Sequence, residues 1–216
     1  MFRLLKVESA KLFYKLKSWL GPMLIMILVL TAFPLSIDIS QFDLEKFYFS
    51  IIVVSLLMTS FLATEGMFEE DFEDGSLEQE FLIEQDFYKI VLSKIFVYVC
   101  FIGIPIAFIG AIFSFANGVE IRNFAYVFLL LSLSNLLLFN LFAFGNALSI
   151  NKGAMLGILT SLPLALPVII LLGTAMRSIQ YGDGLLQIMS LMIGLGCLIS
   201  AIMPIIISIA LKTHID

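Results

Sequence analysis

The chain has 216 residues, of which 61% are hydrophobic and only 13% charged, and it carries a net charge of −5. Soluble domains hold about 25% charged and about 45–50% apolar residues, so this composition excludes an ordinary soluble fold. The mean hydropathy of +1.08 agrees.

Apolar residues fall into six blocks, at about 20–37, 47–64, 90–116, 123–149, 153–176 and 184–211. Each is long enough to cross a hydrocarbon layer about 30 Å thick at about 1.5 Å per residue. Lipid offers backbone groups no partner, so each block is predicted to be a helix, and the period-two pattern of a membrane barrel is absent. The expected fold is an all-α polytopic membrane protein, a single transmembrane domain over residues 1–216 with six spans.

Orientation follows Lys and Arg rather than net charge. With the N-terminus in the cytoplasm, that side holds Arg3, Lys6, Lys11, Lys15, Lys17, Lys89, Lys94, Lys152 and Lys212, against Lys46, Arg122 and Arg177 outside. Both termini and the loop at 65–89 are therefore expected in the cytoplasm. The acidic balance argues against a nucleic-acid partner.

Residues 2–18, FRLLKVESAKLFYKLKS, read as a basic amphipathic helix lying in the membrane interface. Leu5, Leu12, Leu16 and Phe13 share a face, Lys6, Lys11, Lys15 and Lys17 reach for headgroups, and the first span begins at Trp19, Gly21 and Pro22. Two readings stand: a topology anchor, or an elbow that cradles a cytoplasmic partner. A removable leader is not expected, because the basic stretch is long and no small-residue cleavage pattern follows.

The external loops, at about 38–46, 117–122 and 177–183, are too short for a receptor or catalytic domain. Cys100 and Cys197 fall within spans without a C-x-x-C pattern, so simple packing is expected. Asn135, Asn140 and Asn146 in the fourth block read as interhelical hydrogen bonds rather than a polar path, since nothing ionisable accompanies them. Gly153 and Gly157 form a G-x-x-x-G that marks close packing. Pro163 and Pro167, one turn apart in LPLALP, are predicted to kink or locally unwind the fifth span.

The loop between the second and third spans holds the densest negative charge. Glu65, Glu69, Glu70, Asp71, Glu73, Asp74, Glu78, Glu80, Glu84 and Asp86 are ten of the chain's seventeen carboxylates, with almost nothing basic beside them. A calcium loop fails: with Gly75 at its sixth position, Phe72 and Phe81 stand where oxygen ligands belong. The only histidine, His214, is distant in sequence and expected in solvent, so no metal, catalytic or cofactor-binding residue is assigned. Met67, Phe68 and Phe72 recur at helical spacing, Gly75 suits a left-handed turn, and Ser76 with Gln79 fits a capping box. Leu77, Phe81 and Leu82 add an apolar side to the second short helix. The prediction is a helix, a glycine turn and a capped helix that present Phe and Leu between carboxylates as a docking surface for another protein.

EGMFEEDFEDGSLEQEFL at 65–82, FPLSI at 33–37 and LPLALP at 162–167 together resemble the CcmB family of cytochrome c maturation, whose members are called haem exporter protein B. The resemblance covers nearly the whole chain, and DGSLEQ at 74–79 is its most specific part. It implies an ABC-2-like permease subunit, non-catalytic itself, that pairs with a CcmA-like ATPase and works beside CcmC-like and CcmD-like membrane proteins. ATP hydrolysis would serve haem delivery, by release of a haem-loaded CcmE-like chaperone or by haem export. Haem and ATP would be handled by those partners; this chain has no G-x-x-x-x-G-K-[ST] phosphate loop. A bacterial inner membrane is implied, with a mitochondrial inner membrane as the alternative, and the architecture admits a homodimer. Phe68, Phe72, Asp74, Gly75, Ser76, Leu77, Glu78, Gln79 and Phe81 would form the ATPase-coupling element. Relatives often have a proline after this motif, where FLIEQDFYK has none. A permease for another substrate and a non-transporting scaffold of a haem-delivery complex are the competing readings.

Overall fold

The computed structural model describes residues 2–36, 44–83, 87–150, 154–181 and 184–215. Among them there is no strand. The helices are α1 (Phe2–Tyr14), α2 (Leu16–Ser36), α3 (Leu44–Thr64), α4 (Glu69–Glu73), α5 (Ser76–Ile83), α6 (Phe87–Tyr98), α7 (Ile104–Ala116), α8 (Ile121–Ser149), α9 (Ala154–Tyr181) and α10 (Leu185–Ile215). A π turn at Val99–Gly103 joins α6 to α7, so Phe87–Ala116 runs as one span. Among the described residues six helices are long and apolar enough to cross a membrane, which is the expected number, and the helix ends lie within a few residues of the hydropathy blocks. The fifth and sixth run on, to Tyr181 and Ile215. Basic Lys212 and His214 in the last turn of α10 suit the negative end of its dipole.

α8 is the central post: 67% of an 18-residue apolar stretch of it is buried within the protein, against 17% in the first span. It packs against α3, α7, α9 and α10. Leucines and isoleucines of α2, α9 and α10, among them Leu28, Ile170 and Leu198, stay exposed on the perimeter. Contiguous apolar surface of this kind calls for lipid as the solvent, and the protein is a multi-pass membrane protein.

Within lipid the hydrophobic effect does not draw helices together, so close packing and internal hydrogen bonds must. A Cβ on Gly145 would lie 2.7 Å from the Gly157 carbonyl oxygen, and one on Gly157 would lie 2.8 Å from that of Gly145. The crossing of α8 and α9 therefore rests on Gly145 and Gly157. The expected partner of Gly157, Gly153, lies outside the described residues. Buried hydroxyls on α3 turn inward to their own helix: Ser55 donates to the Ile51 carbonyl at 2.7 Å and Thr59 to that of Ser55 at 2.7 Å.

The asparagines divide. Asn135 Nδ2 donates to the Gly103 carbonyl at 2.7 Å and its Oδ1 accepts from Ser60 Oγ at 2.8 Å, joining α8 to α3 and the π turn. Asn146 Oδ1 accepts from the Phe68 N–H at 3.1 Å. Asn140 departs from the expectation: it donates to the Leu136 carbonyl of its own helix, and its buried Oδ1 has no partner among the described residues.

α9 is helical across Pro163 and Pro167, so of the expected kink or local unwinding the unwinding is not seen; both rings are exposed on its outer face. The ladder opens elsewhere, in the third span. Pro105 lacks the N–H that the Phe101 carbonyl would accept, and the π turn lies over that gap. Cys197 is exposed on α10 rather than packed, and His214 is half-buried.

Candidate functional site

The segment after α3 folds by a short series of local rules. Glu65 N–H donates to the Phe61 carbonyl at 3.1 Å, and Gly66 at φ +70° reverses the chain. That reversal drives Met67 and Phe68 back into the bundle, where Asn146 receives the Phe68 N–H. α4 follows and ends as Gly75 adopts φ +73°, a left-handed conformation that favours glycine.

The cap of α5 is not the predicted box. Asp74 Oδ1 accepts the Ser76 N–H at 2.8 Å, while Ser76 Oγ donates back to the Asp71 carbonyl at 3.3 Å. Aspartate and serine are both good caps, and the carboxylate two residues upstream takes the first free donor. The Ser76 hydrogen bonds hold the Asp74 carboxyl below its ordinary range.

Orientation brings the larger correction. Phe68 is 1% exposed and Leu77 2%, with Phe72 and Phe81 half-buried. The apolar stripe seats the two short helices on the bundle instead of facing a partner. Phe81 stacks edge-on with Phe87 at 5.5 Å, and Lys212 Nζ sits 5.2 Å from the Phe81 ring. What faces outward is Glu65, Glu69, Glu70, Glu73, Asp74, Glu78 and Gln79, with Leu82 projecting at 84% exposure. Glu84 and Asp86 lie outside the described residues.

The carboxylates are also answered by base, from elements distant in sequence. Asp71 is 3% and Lys94 5% exposed, and Lys94 Nζ forms an ion pair with Asp71 Oδ2. The Lys94 ammonium also lies 5.4 Å from the Phe68 ring. From α1, Lys11 Nζ bonds Glu80 Oε1 at 2.8 Å and lies 3.5 Å from Glu8 and 3.7 Å from Asp71. Lys15 pairs with Glu70. Against the expectation that they reach for headgroups, Lys11 and Lys15 turn to the loop, and α1 cradles a segment of its own chain. Lys17's side chain lies outside the description, as does that of Leu16; Lys6 is exposed, Leu12 is buried, and Phe13 lies against Trp19 and Phe101.

Buried ions lose hydration worth several kcal/mol each, and only close pairing offsets that. Burial works against the Lys11 charge, but the bond to Glu80 and the carboxylates of Glu8 and Asp71 outweigh it and raise its pKa. Burial raises the Glu8 pKa, with Lys94 and Lys11 opposing more weakly. Glu8 shares a lysine that answers Glu80 first. The cavity among Glu8, Lys11, Lys15, Asp71, Lys94 and Tyr98 is only about 10 Å³, room for one water at most. It is a closed ionic joint rather than a ligand site.

Sequence reasoning passed over this joint. Its signal was Lys94, the only charged residue within the six apolar blocks, because a charge in a span demands a partner.

The model of the CcmB protein family matches residues 4–214. The heme exporter protein B of Pseudomonas aeruginosa is 30% identical over 185 residues, covering 84% of this chain and 83% of that protein. The heme exporter protein B of Haemophilus influenzae is 30% identical over 203 residues, 91% of this chain and 90% of its own. That of Escherichia coli K12 is 32% identical over 105 residues, 49% of this chain.

Proposed function

Since the chain belongs to the CcmB family, we propose that it is the membrane permease subunit of an ABC-type complex that serves haem delivery for cytochrome c maturation. It binds no nucleotide in this reading. A CcmA-like ATPase docks on the outward surface of α4 and α5, and CcmC-like and CcmD-like proteins lie beside it in a bacterial inner membrane, with a CcmE-like chaperone as the downstream haem carrier. The excess of Lys and Arg on the side that carries α1, Lys89 and Lys212 supports a cytoplasmic position for that surface.

The observation that carries the reading is a paired one. Glu69, Glu73, Asp74, Glu78 and Gln79 face outward on a turn whose other side is held by Phe68, Leu77 and the Asp71–Lys94 pair. A segment seated this firmly moves as a body, so a push on its outer face is passed to the bundle. Phe68, Phe72, Leu77 and Phe81 act as its footing, Gly75 and Ser76 set its bend, and Asp74, Glu78 and Gln79 meet the ATPase.

Purification of the tagged chain from native membranes, with ATPase activity assayed in the eluate, tests this. ATP hydrolysis is expected to co-purify, and Gly75→Pro with Ser76→Ala should remove it while leaving membrane insertion intact. A doubly substituted chain that keeps the ATPase and supports normal cytochrome c maturation would overturn the assignment.

A further inference from the structure

The buried ion pair and the π turn lie on the same span. Asp71 belongs to α4 and Lys94 to α6, and Lys94 is followed one turn later by Tyr98 and then by the π turn at Val99–Gly103. Asn135 of the central α8 holds that turn through the Gly103 carbonyl at 2.7 Å. Beyond it, α7 packs tightly on the bundle: a Cβ on Gly110 would come within 2.8 Å of Leu131. Besides packing on α1 and α10, the α6 half of the third span is thus tied to the loop by the ion pair, while the α7 half is held against α8.

Resting on the coupling reading above, we infer that Lys94 is the positioning residue that makes α6 follow the loop, with the π turn as the hinge between α6 and the fixed α7. A π turn carries a locally widened ladder, which bends at lower cost than a regular one. An ion pair suits the linkage, because its strength falls steeply with separation in a buried site and Asp71 cannot move away without leaving the buried Lys94 ammonium unpaired. The joint also has a second point of attachment. Lys11 Nζ lies 3.7 Å from the same Asp71 oxygen, so α1 shares the load and limits how far the loop can travel.

The geometry separates linkage from folding. In Lys94→Met, Asp71 keeps Lys11 as a counter-ion and Ser76 as a partner of its backbone carbonyl, so the loop retains its seat and its Phe81–Phe87 contact while losing its ionic tie to α6. The experiment uses the complex purified from membranes with Cys100→Ser and Cys197→Ser, and spin labels at the exposed Phe96 and Ile112 on either side of the π turn. Interspin distances are measured without nucleotide and with trapped ATP. The unaltered linkage is expected to show an ATP-dependent shift. Lys94→Met should lose the shift while the ATPase still co-purifies, and the reciprocal swap Asp71→Lys with Lys94→Asp should restore it. A shift that persists in Lys94→Met overturns the inference, as does a swap that binds the ATPase without shifting. If Lys94→Met fails to insert, the swap alone decides by the same criterion. Absence of any ATPase from the unsubstituted complex sinks the coupling reading itself, a result distinct from either of these.

Discussion

Asn135 Nδ2 donates to the Gly103 carbonyl at 2.7 Å, so the central helix supplies a hydrogen bond to the wide turn of the third span. Its Oδ1 meanwhile accepts from Ser60, which places one amide at the meeting of three helical segments. Asn135→Leu removes both bonds. The Ser60 hydroxyl retains the Leu56 carbonyl at 2.6 Å, so most of the loss falls on Gly103. Interhelical hydrogen bonds in bilayers contribute about 0.6 kcal/mol on average and about 1.7 at most, and a loss of about 1 kcal/mol is expected. Unfolding in mixed micelles by detergent titration measures it; an unchanged midpoint would show that the amide does not hold the turn.

Gly145 and Gly157 bring α8 and α9 into backbone contact, and each leaves no room for a methyl group. Gly145→Ala and Gly157→Ala should each cost about 1–3 kcal/mol by forcing the helices apart. Because one separation accommodates both methyl groups, the double variant should cost less than the sum. Gly173→Ala is the internal control: nothing lies within 4 Å of the added Cβ, so stability should hold or rise. Equal losses at all three positions would refute the close-crossing account.

The turn of the acidic loop gives a local prediction. Gly75 is at φ +73° with open space around an added Cβ, so substitution there meets backbone strain and no clash. Gly75→Ala should cost about 1–2 kcal/mol, and Asn, which tolerates this region better, should cost less. Asp74→Ala loses the α5 cap, worth about 1 kcal/mol. At about 1.4 kcal/mol per factor of ten, limited proteolysis at the turn should speed up about tenfold in Gly75→Ala with little change in global unfolding. A global loss with unchanged local cleavage would contradict this picture.

The spans were legible because lipid imposes a length and an apolarity that no other environment demands, and the block at 123–149 differs from α8 by only two residues at its start. Gly75 was legible for a similarly local reason. The facing of the loop was not. Phe68 and Phe72 at i,i+4 define a stripe, but a stripe facing the bundle and one facing a partner have the same spacing. Only the fold reveals Phe68 to be buried. Likewise, Lys11 and Asp71 are sixty residues apart, and a search within the loop for basic neighbours could not bring them together. The π turn hides in VCFIGIP, whose hydropathy matches the rest of its span, with Pro105 as its one visible cause.

Glu8 provides a test of the joint that needs no partner protein. It is 5% exposed and faces Lys11 on its own helix, Asp71 on α4, Glu80 on α5 and Lys94 on α6. Burial lifts its pKa above the ordinary 4.5, with the two lysines opposing and the two carboxylates assisting. An acid whose folded pKa is raised is favoured in its protonated form, so its contribution to stability is fully present below 4.5 and is lost as pH rises through the elevated folded value. Glu8→Gln holds a neutral side chain of the same length at every pH. The wild-type chain should therefore lose thermal stability relative to Glu8→Gln as pH climbs from 4.5 through that window, with a constant gap above it. Thermal unfolding of the two detergent-solubilised proteins at stepped pH reads the difference. A gap that instead widens toward acid would mean that Lys11 and Lys94 dominate over burial, and that Glu8 serves the joint as a full counter-ion.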